Sequence, residues 1–336
     1  MKKTPPCSAC SRTADEPTIA VSRLERYITG WLLSGDIAQH TERTIDNRRR
    51  LMDQLIWFLR HRSFDDCGVL ELRQFFAYLS HGHEEPGGRW GNPTCRKPLR
   101  PASIHTYHGH IRTLFGWIVN EGGLASSPMD RIPPPVLRRD QLIPFNDRQL
   151  DLLVRCARIS KQPKRDEAIV LFLLDTGVRC SEICSLRIKD VDMKSRLCTV
   201  VGKGNKVRQV PFGAVCAKAL WVMLKSREDQ SEDQPLFLGQ RSRTGTEYLT
   251  RSGLQQMIER LSRAAGIKGV RASPHTFRHT FAIAFLRAGG NVFSLQAMLG
   301  HESIDMTRRY VYIAQADVQN QHRQFSPADR LARRPR

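Results

Sequence analysis

Apolar side chains recur at three- and four-residue spacing through the first third of the chain, the period of amphipathic helices. Ile19, Val21, Leu24, Tyr27, Ile28 and Trp31 form one stripe, and Gly35 is read as its stop. Thr41 is placed to cap a longer helix with Ile45, Leu51, Met52, Leu55, Phe58 and Leu59 inward. Residues 69–79 repeat the pattern, and a fourth helix runs from Ser103 past Trp117. Between the third and fourth, residues 82–101 are dense in Gly, Pro and charge, which predicts an exposed loop. A compact all-helical domain over 18–123 follows from these stripes, after a flexible tail at 1–17.

Ser126-Ser127-Pro128 and Pro133-Pro134-Pro135 can neither continue a helix nor pair as a strand, so residues 124–144 read as an extended interdomain linker. Asn146 is a candidate N-cap ahead of Leu150, Leu153 and Val154, opening a second domain over 145–325. Helices are expected at 164–175 and 181–186, at Leu220, and at 254–265, 274–288 and 292–299, with another from Ile304 onward. Two β-branched runs, 197–201 and 207–210, flank the turn Gly202-Lys203-Gly204-Asn205-Lys206 and predict a hairpin. The expected class is mainly α with a small antiparallel β-sheet, a helical first domain and an α+β second, closed by a basic tail at 326–336.

Charge narrows the partners. Of 53 Lys and Arg and 33 Asp and Glu, residues 141–336 carry 33 and 18, so most of the formal +20 lies in the second domain. A polyanion, nucleic acid first, is the expected partner. Mean hydropathy is −0.42 and no apolar run approaches the ~20 residues of a membrane span. The basic N-terminus has no apolar segment behind it, so a cytoplasmic location is expected. Nine scattered cysteines fit reduced thiols better than a disulfide framework. Cys7-x-x-Cys10 is half of a zinc site at most, because no second CxxC exists. Cys180 and Cys184, four apart beside apolar residues, read as buried small side chains.

Candidate chemistry lies in the second domain. The glycines at 202 and 204 make no phosphate loop: there is no GxxxxGK[ST], and Val207 stands where a GxGxxG would close. No HExxH or paired acidic cluster occurs, so no cofactor and no metal are expected. Ser273 and Pro274 open a helix that places His275 and Arg278 on one face at an N-terminus, a position suited to phosphate, although the pair taken alone favours a solvated surface. Leu299-Gly300 ends a helix at a glycine, His301 follows, and Ser303 is read as capping a helix with Tyr310 and Tyr312. Arg179, in a turn between helices, has a bland alternative as an ion-pair partner of Glu182.

Taken in order, Arg179 in TGVRCSEICSL, Lys203 in the hairpin turn, His275 and Arg278 in SPHTFRHTFA, His301 in LGHESI and Tyr310 nine residues later resemble the tyrosine recombinases, the phage integrase family. The resemblance covers roughly 145–315. More weakly, the helical first domain resembles that family's SAM-like core-binding domain. Val178 and Cys180 depart from the commoner Leu and Ile. Tyr312 is a second candidate nucleophile, but two residues along a helix turn a side chain by about 200°, so only one tyrosine can face the site.

The resemblance implies a site-specific DNA recombinase that cleaves and rejoins strands through a 3′-phosphotyrosyl link. Tyr310 would be the nucleophile and Arg179 and Arg278 the clamp on the phosphate. His275 and His301 would serve its oxygens or the tyrosine proton, and Lys203 would be the general acid. These groups supply what metal-free and ATP-free phosphodiester cleavage requires: a nucleophile, cations for the phosphorane and a leaving-group acid. The implied partner is double-stranded DNA at recombination sites, met by a homotetramer, with a related recombinase or DNA-bending proteins as further partners. A helix over 314–324 could dock on a neighbouring subunit. Candidate DNA contacts in the first domain are Arg48, Arg49, Arg50, His105, His108 and Arg112. A type IB topoisomerase and a silent DNA-binding regulator are the alternatives; the two-domain layout disfavours the first, and retention of the nucleophile the second.

Overall fold

The computed structural model describes residues 16–83, 87–137, 143–227, 230–239 and 248–314, with 322, 326 and 328. The chain divides into two compact units, 1–139 and 140–336. Cys7, Cys10 and most of the expected 314–324 helix lie outside the described residues. No helix among those described is long and apolar enough to cross a membrane.

The first unit packs helices α1 (Val21–Ile37), α2 (Glu42–His61), α3 (Val69–Ser80) and α4 (Pro101–Asn120) around one core. Strand β1 (Ile19–Ala20) pairs antiparallel with β2 (Asp66–Cys67), tying the start of α1 to the α2–α3 turn. The inward stripes are those the periodicity predicts: Leu24, Leu55, Leu59, Phe75, Leu114 and Phe115 are fully buried, each stabilising the fold by about 1.5–3 kcal/mol.

Gly35 does not stop α1, which continues to Ile37. A Cβ at Gly35 would lie 2.6 Å from Ile45 Cδ1, so the glycine permits close approach of α2 instead. The described part of segment 82–101 is a mostly exposed loop, as expected, but one aromatic in it turns inward. Trp90 folds back onto Trp57 and Tyr78 at ring distances of 5.7 and 5.3 Å, and its backbone N–H donates to the Tyr78 hydroxyl at 3.0 Å. The linker begins later than its Pro content suggests. Pro128–Arg131 forms a 3-10 turn capped by Ser127, and Met129 and Ile132 are buried in the first core. Proline restricts the backbone here without preventing its neighbours from packing.

In the second unit, α5 (Asp147–Arg158) starts at Asn146, whose side chain accepts from Gln149 N–H at 2.9 Å. Helix α6 (Pro163–Thr176) is the central element, with Ala168, Ile169, Val170, Phe172 and Leu173 buried. Its Asp166 is fully buried and held by Arg165 and Arg260 at 2.7 and 3.1 Å. After α7 (Cys180–Ser185), strands β3 (Val191–Asp192), β4 (Leu197–Val201) and β5 (Val207–Pro211) form an antiparallel sheet in that order, with Val200 opposite Arg208. The hairpin is the expected one; β3 was not legible, because two residues carry no alternation. Helices α8 (Ala214–Lys225), α9 (Arg251–Ala264), α10 (Pro274–Arg287), α11 (Val292–Leu299) and α12 (Ile304–Ala314) complete the described unit. Half-buried Cys180 and Cys184 pack against its main core. A smaller cluster joins Phe281, Leu286, Leu295, Leu299 and Tyr310 across α10, α11 and α12.

Candidate active site

Two left-handed glycines set the frame. Gly177 ends α6 at φ +58° and turns the chain so that Arg179 precedes α7; a Cβ there would lie 2.3 Å from the Phe281 ring. Gly300 ends α11 at φ +61°. The last carbonyls of a helix have no intrahelical partner and carry the negative end of its dipole. In α11 and its cap, each of three successive carbonyls accepts from a different arginine. Met298 O takes Arg208 Nε at 2.7 Å, Leu299 O takes Arg278 Nη2 at 2.6 Å, and Gly300 O takes Arg179 Nη2 at 2.8 Å. Arg278 also donates through Nη1 to Gly177 O at 2.8 Å, so both chain reversals anchor one guanidinium.

Glu182 joins two of these arginines. Its carboxylate is almost wholly buried and accepts from Arg179 Nη1 at 2.9 Å and from Arg208 Nη1 and Nη2 at 2.8 Å. It also accepts the Arg179 backbone N–H at 2.7 Å. Burial opposes its ionisation, yet the Arg208 and Arg179 hydrogen bonds outweigh that and hold its pKa at about 2. Three guanidinium groups against one carboxylate leave the cluster net cationic. Burial lowers Arg278 to about 10, followed by repulsion from Arg179, which still leaves it charged at neutral pH.

Tyr310 faces this cluster. It is 5% exposed while Tyr312, two residues on, is 76% exposed, so α12 turns only the first phenol inward. Burial raises the Tyr310 pKa, partly offset by the positive charge of Arg278, Arg309 and Arg179. The His301 ring lies nearly parallel to Tyr310, with centroids 6.1 Å apart, and its Nδ1 shares a hydrogen bond with the buried Thr307 hydroxyl at 2.9 Å. His279 Nδ1 lies 2.8 Å from the Tyr310 hydroxyl. Burial, followed by neighbouring cations, lowers His301 to about 4. Burial, then His275 and Arg309, does the same for His279. His275 is exposed at the start of α10, which Ser273 caps by accepting Thr276 N–H at 3.2 Å; desolvation and Arg278 lower its pKa.

Of the six residues proposed from sequence, Arg179, Arg278, His301 and Tyr310 thus meet around the end of α11, with His275 one turn before His279 on α10. Lys203 opens the β4–β5 turn, on the hairpin that also carries Arg208. Three groups escaped the sequence reading as site residues. Arg208 sits in a strand whose alternation reads as ordinary, Glu182 passes as an ion-pair partner, and His279 is overshadowed by Arg278 beside it. A charged residue facing inward from a strand, five positions after Lys203, was the available signal.

The first-unit candidates separate. His108 is buried and its Nε2 hydrogen-bonds Ile132 O at 2.8 Å, so it is a core group and not a DNA contact. Arg48 is half-buried: its guanidinium lies 4.5 Å from the Trp31 ring centroid and Nη1 is 2.9 Å from His40 Nδ1. Arg49, Arg50, His105 and Arg112 are exposed. Arg112 pairs with Asp130 at 3.4 Å.

Comparison with known proteins gives the family. Residues 145–317 match the Phage integrase family. Proteins named tyrosine recombinase XerC are similar over much of the chain. The one from Mycobacterium sp. (strain JLS) is 33% identical over 277 residues, 76% of this chain and 90% of that protein. The one from Xanthomonas campestris pv. campestris (strain B100) is 27% identical over 98% of this chain and 92% of its own length. For the one from Corynebacterium glutamicum, 32% identical over 61% of this chain, the match spans 65% of the relative's length. Among solved structures, the Tn1549 transposon integrase in complex with circular intermediate DNA shares the fold at a TM-score of 0.66 and 22% identity, over 87% of this chain and 94% of that one. By this match and these relatives, the chain is a member of the phage integrase family, the tyrosine recombinases.

Proposed function

We propose that this chain is a site-specific DNA recombinase that cleaves and rejoins strands through a 3′-phosphotyrosyl intermediate. The observation that carries the reading is the buried Tyr310 phenol beside guanidinium groups fixed by the carbonyls at the end of α11. Fixed cations of this kind stabilise the charge that grows on a phosphorane and need no reorganisation when it forms. Arg179 and Arg278 face the non-bridging oxygens with forks suited to phosphate. His275 and His301, held neutral, donate one N–H each to the same oxygens.

Tyr310 Oη bonds to phosphorus, the 5′-oxygen leaves with a proton from Lys203, and the ester energy stays in the phosphotyrosine. A 5′-hydroxyl from a second duplex reverses the step, so joining needs neither ATP nor a metal. We assign double-stranded recombination sites as the substrate and a tetramer on two paired sites as the working assembly, inside the cytoplasm. The element served, whether mobile or chromosomal, is identified by the DNA beside the gene, where inverted half-sites around a short spacer are expected.

The test is a nicked suicide duplex incubated with enzyme in EDTA. A covalent adduct is expected; a strict requirement for divalent metal contradicts the scheme. Lys203→Ala slows cleavage, and a substrate with sulfur at the 5′-bridging position, which needs no acid, restores most of it. Absence of that rescue removes Lys203 from its role.

A further inference from the structure

The hydroxyl of Tyr310 has a neighbour to which the scheme above gives no role. His279 Nδ1 lies 2.8 Å from Tyr310 Oη, with ring centroids 5.6 Å apart and planes at 45°. His275 and His279 are one turn apart on α10 and so share a face. The first is exposed at the helix start and the second is half-buried one turn deeper. His301 meets Tyr310 by its ring face, and its Nδ1 is engaged with Thr307. The three imidazoles thus occupy different positions relative to the nucleophile, and His279 is the one with a ring nitrogen at hydrogen-bond distance from the phenol oxygen.

We propose that His279 is a further catalytic residue: its Nδ1 fixes the Tyr310 hydroxyl and accepts the proton as the oxygen bonds to phosphorus. The proposal rests on the recombinase reading and deepens it. In the cleavage step the Tyr310 O–H bond breaks, its electron pair forms the P–O bond, and the proton passes to Nδ1. The bond from phosphorus to the 5′-oxygen breaks, and that oxygen takes a proton from Lys203. On rejoining, the 5′-hydroxyl returns its proton to Lys203 and the imidazolium returns its own to the leaving phenolate. The protein ends as it began.

The charged and titratable groups around His279 favour this timing. His275 and Arg278 on α10, Arg309 and Tyr310 on α12, and His301 in the preceding turn all act on or beside it. Burial and the cations keep the imidazole neutral near pH 7, the form able to accept. Burial also keeps the proton on the phenol in the resting enzyme. Transfer becomes favourable only as P–O bonding acidifies the phenol and the phosphorane supplies negative charge beside the new imidazolium.

The experiment is single-turnover adduct formation on the nicked suicide duplex at saturating enzyme, from pH 6 to 9. The wild-type rate is expected to be flat across that range. His279→Ala lowers it by about 10²–10³-fold at pH 7, and the remaining rate rises tenfold per pH unit as hydroxide takes over the proton. His279→Asn, whose side-chain oxygen can stand near the Nδ1 position and orient the hydroxyl without accepting its proton, shows the same pH dependence with thermal stability close to wild type. DNA affinity is unchanged in both. A flat profile in the variants, or a rate within threefold of wild type, overturns the role of His279 while leaving the recombinase reading in place. No adduct from the wild-type enzyme, or an undiminished adduct from Tyr310→Phe, overturns that reading itself.

Discussion

The two units handle charge in opposite ways. In the first, the candidate DNA-contact arginines lie on helix surfaces without a shared carboxylate: Arg49, Arg50 and Arg112 are exposed, and Arg48 lies over an indole. In the second, Arg179, Arg208 and Arg278 are drawn together by Glu182 and by consecutive carbonyls at the end of α11. Bringing guanidinium groups together costs repulsion and desolvation, and the helix terminus with its carboxylate offsets that cost. A clamp on a reacting phosphate needs fixed geometry. Binding along a duplex backbone needs only charge near the surface, where phosphate neutralisation sets affinity.

That contrast is sharpest at Arg278. Arg278→Ala removes the guanidinium proposed to hold the phosphate and leaves Gly177 O and Leu299 O without their donor. We predict a loss of cleavage of about 10³-fold or more, together with about 2–4 kcal/mol of stability in urea unfolding. Near-normal cleavage would mean that the cluster is a structural knot and nothing more.

Glu182→Gln tests whether this buried carboxylate acts through the arginines it joins. Breaking a buried ion pair typically costs about 3–5 kcal/mol, and displaced forks should slow cleavage by about 10–100-fold. Full cleavage by a destabilised variant would separate Glu182 from the chemistry.

In the first unit, His108→Ala is expected to cost about 1–3 kcal/mol through the Ile132 carbonyl it leaves unpaired, with no change in the salt dependence of DNA binding. Arg49→Ala or Arg50→Ala should do the reverse: stability stays put, and the slope of log affinity against log salt falls by about 0.9 for each phosphate no longer neutralised. A changed slope in His108→Ala would break the comparison.

The smallest effect is in acid. His279 and His301 have folded values of about 4 against an ordinary value of 6.5. Between those limits the unfolded chain binds more protons than the folded one, so stability rises with pH across the window. This contribution is fully present above about 6.5 and is lost as pH falls towards 4. Urea midpoints for the second unit at pH 7.5, 5.5 and 4.5 should decline in that order, less steeply in His279→Asn. A midpoint independent of pH contradicts the buried neutral imidazoles.

Much of this was legible in the sequence, for physical reasons that differ by element. Amphipathic stripes placed α2 and α11 closely, since burial of one helical face imposes the period. Gly300 marked a helix end because glycine accepts the left-handed backbone without strain. Gly35 misled, because a glycine at a helix crossing and a glycine at a helix stop look alike in one dimension. The same ambiguity affected His108: a histidine on a basic helix face is indistinguishable from a buried one until the partner carbonyl, 24 residues on, is known. Arg208 and His279 escaped because their roles arise from partners on other elements. Arg208 meets Glu182 across 26 residues and His279 meets Tyr310 across 31.

The most direct measurement is to trap the covalent complex on a nicked duplex, digest it, and identify by mass spectrometry the peptide that carries the nucleotide. The modification is expected on Tyr310 through a 3′-phosphate, with Tyr312 unmodified and the adduct absent in Tyr310→Phe. Attachment at Tyr312, at a 5′-phosphate, or at any residue away from the end of α11 would contradict the account.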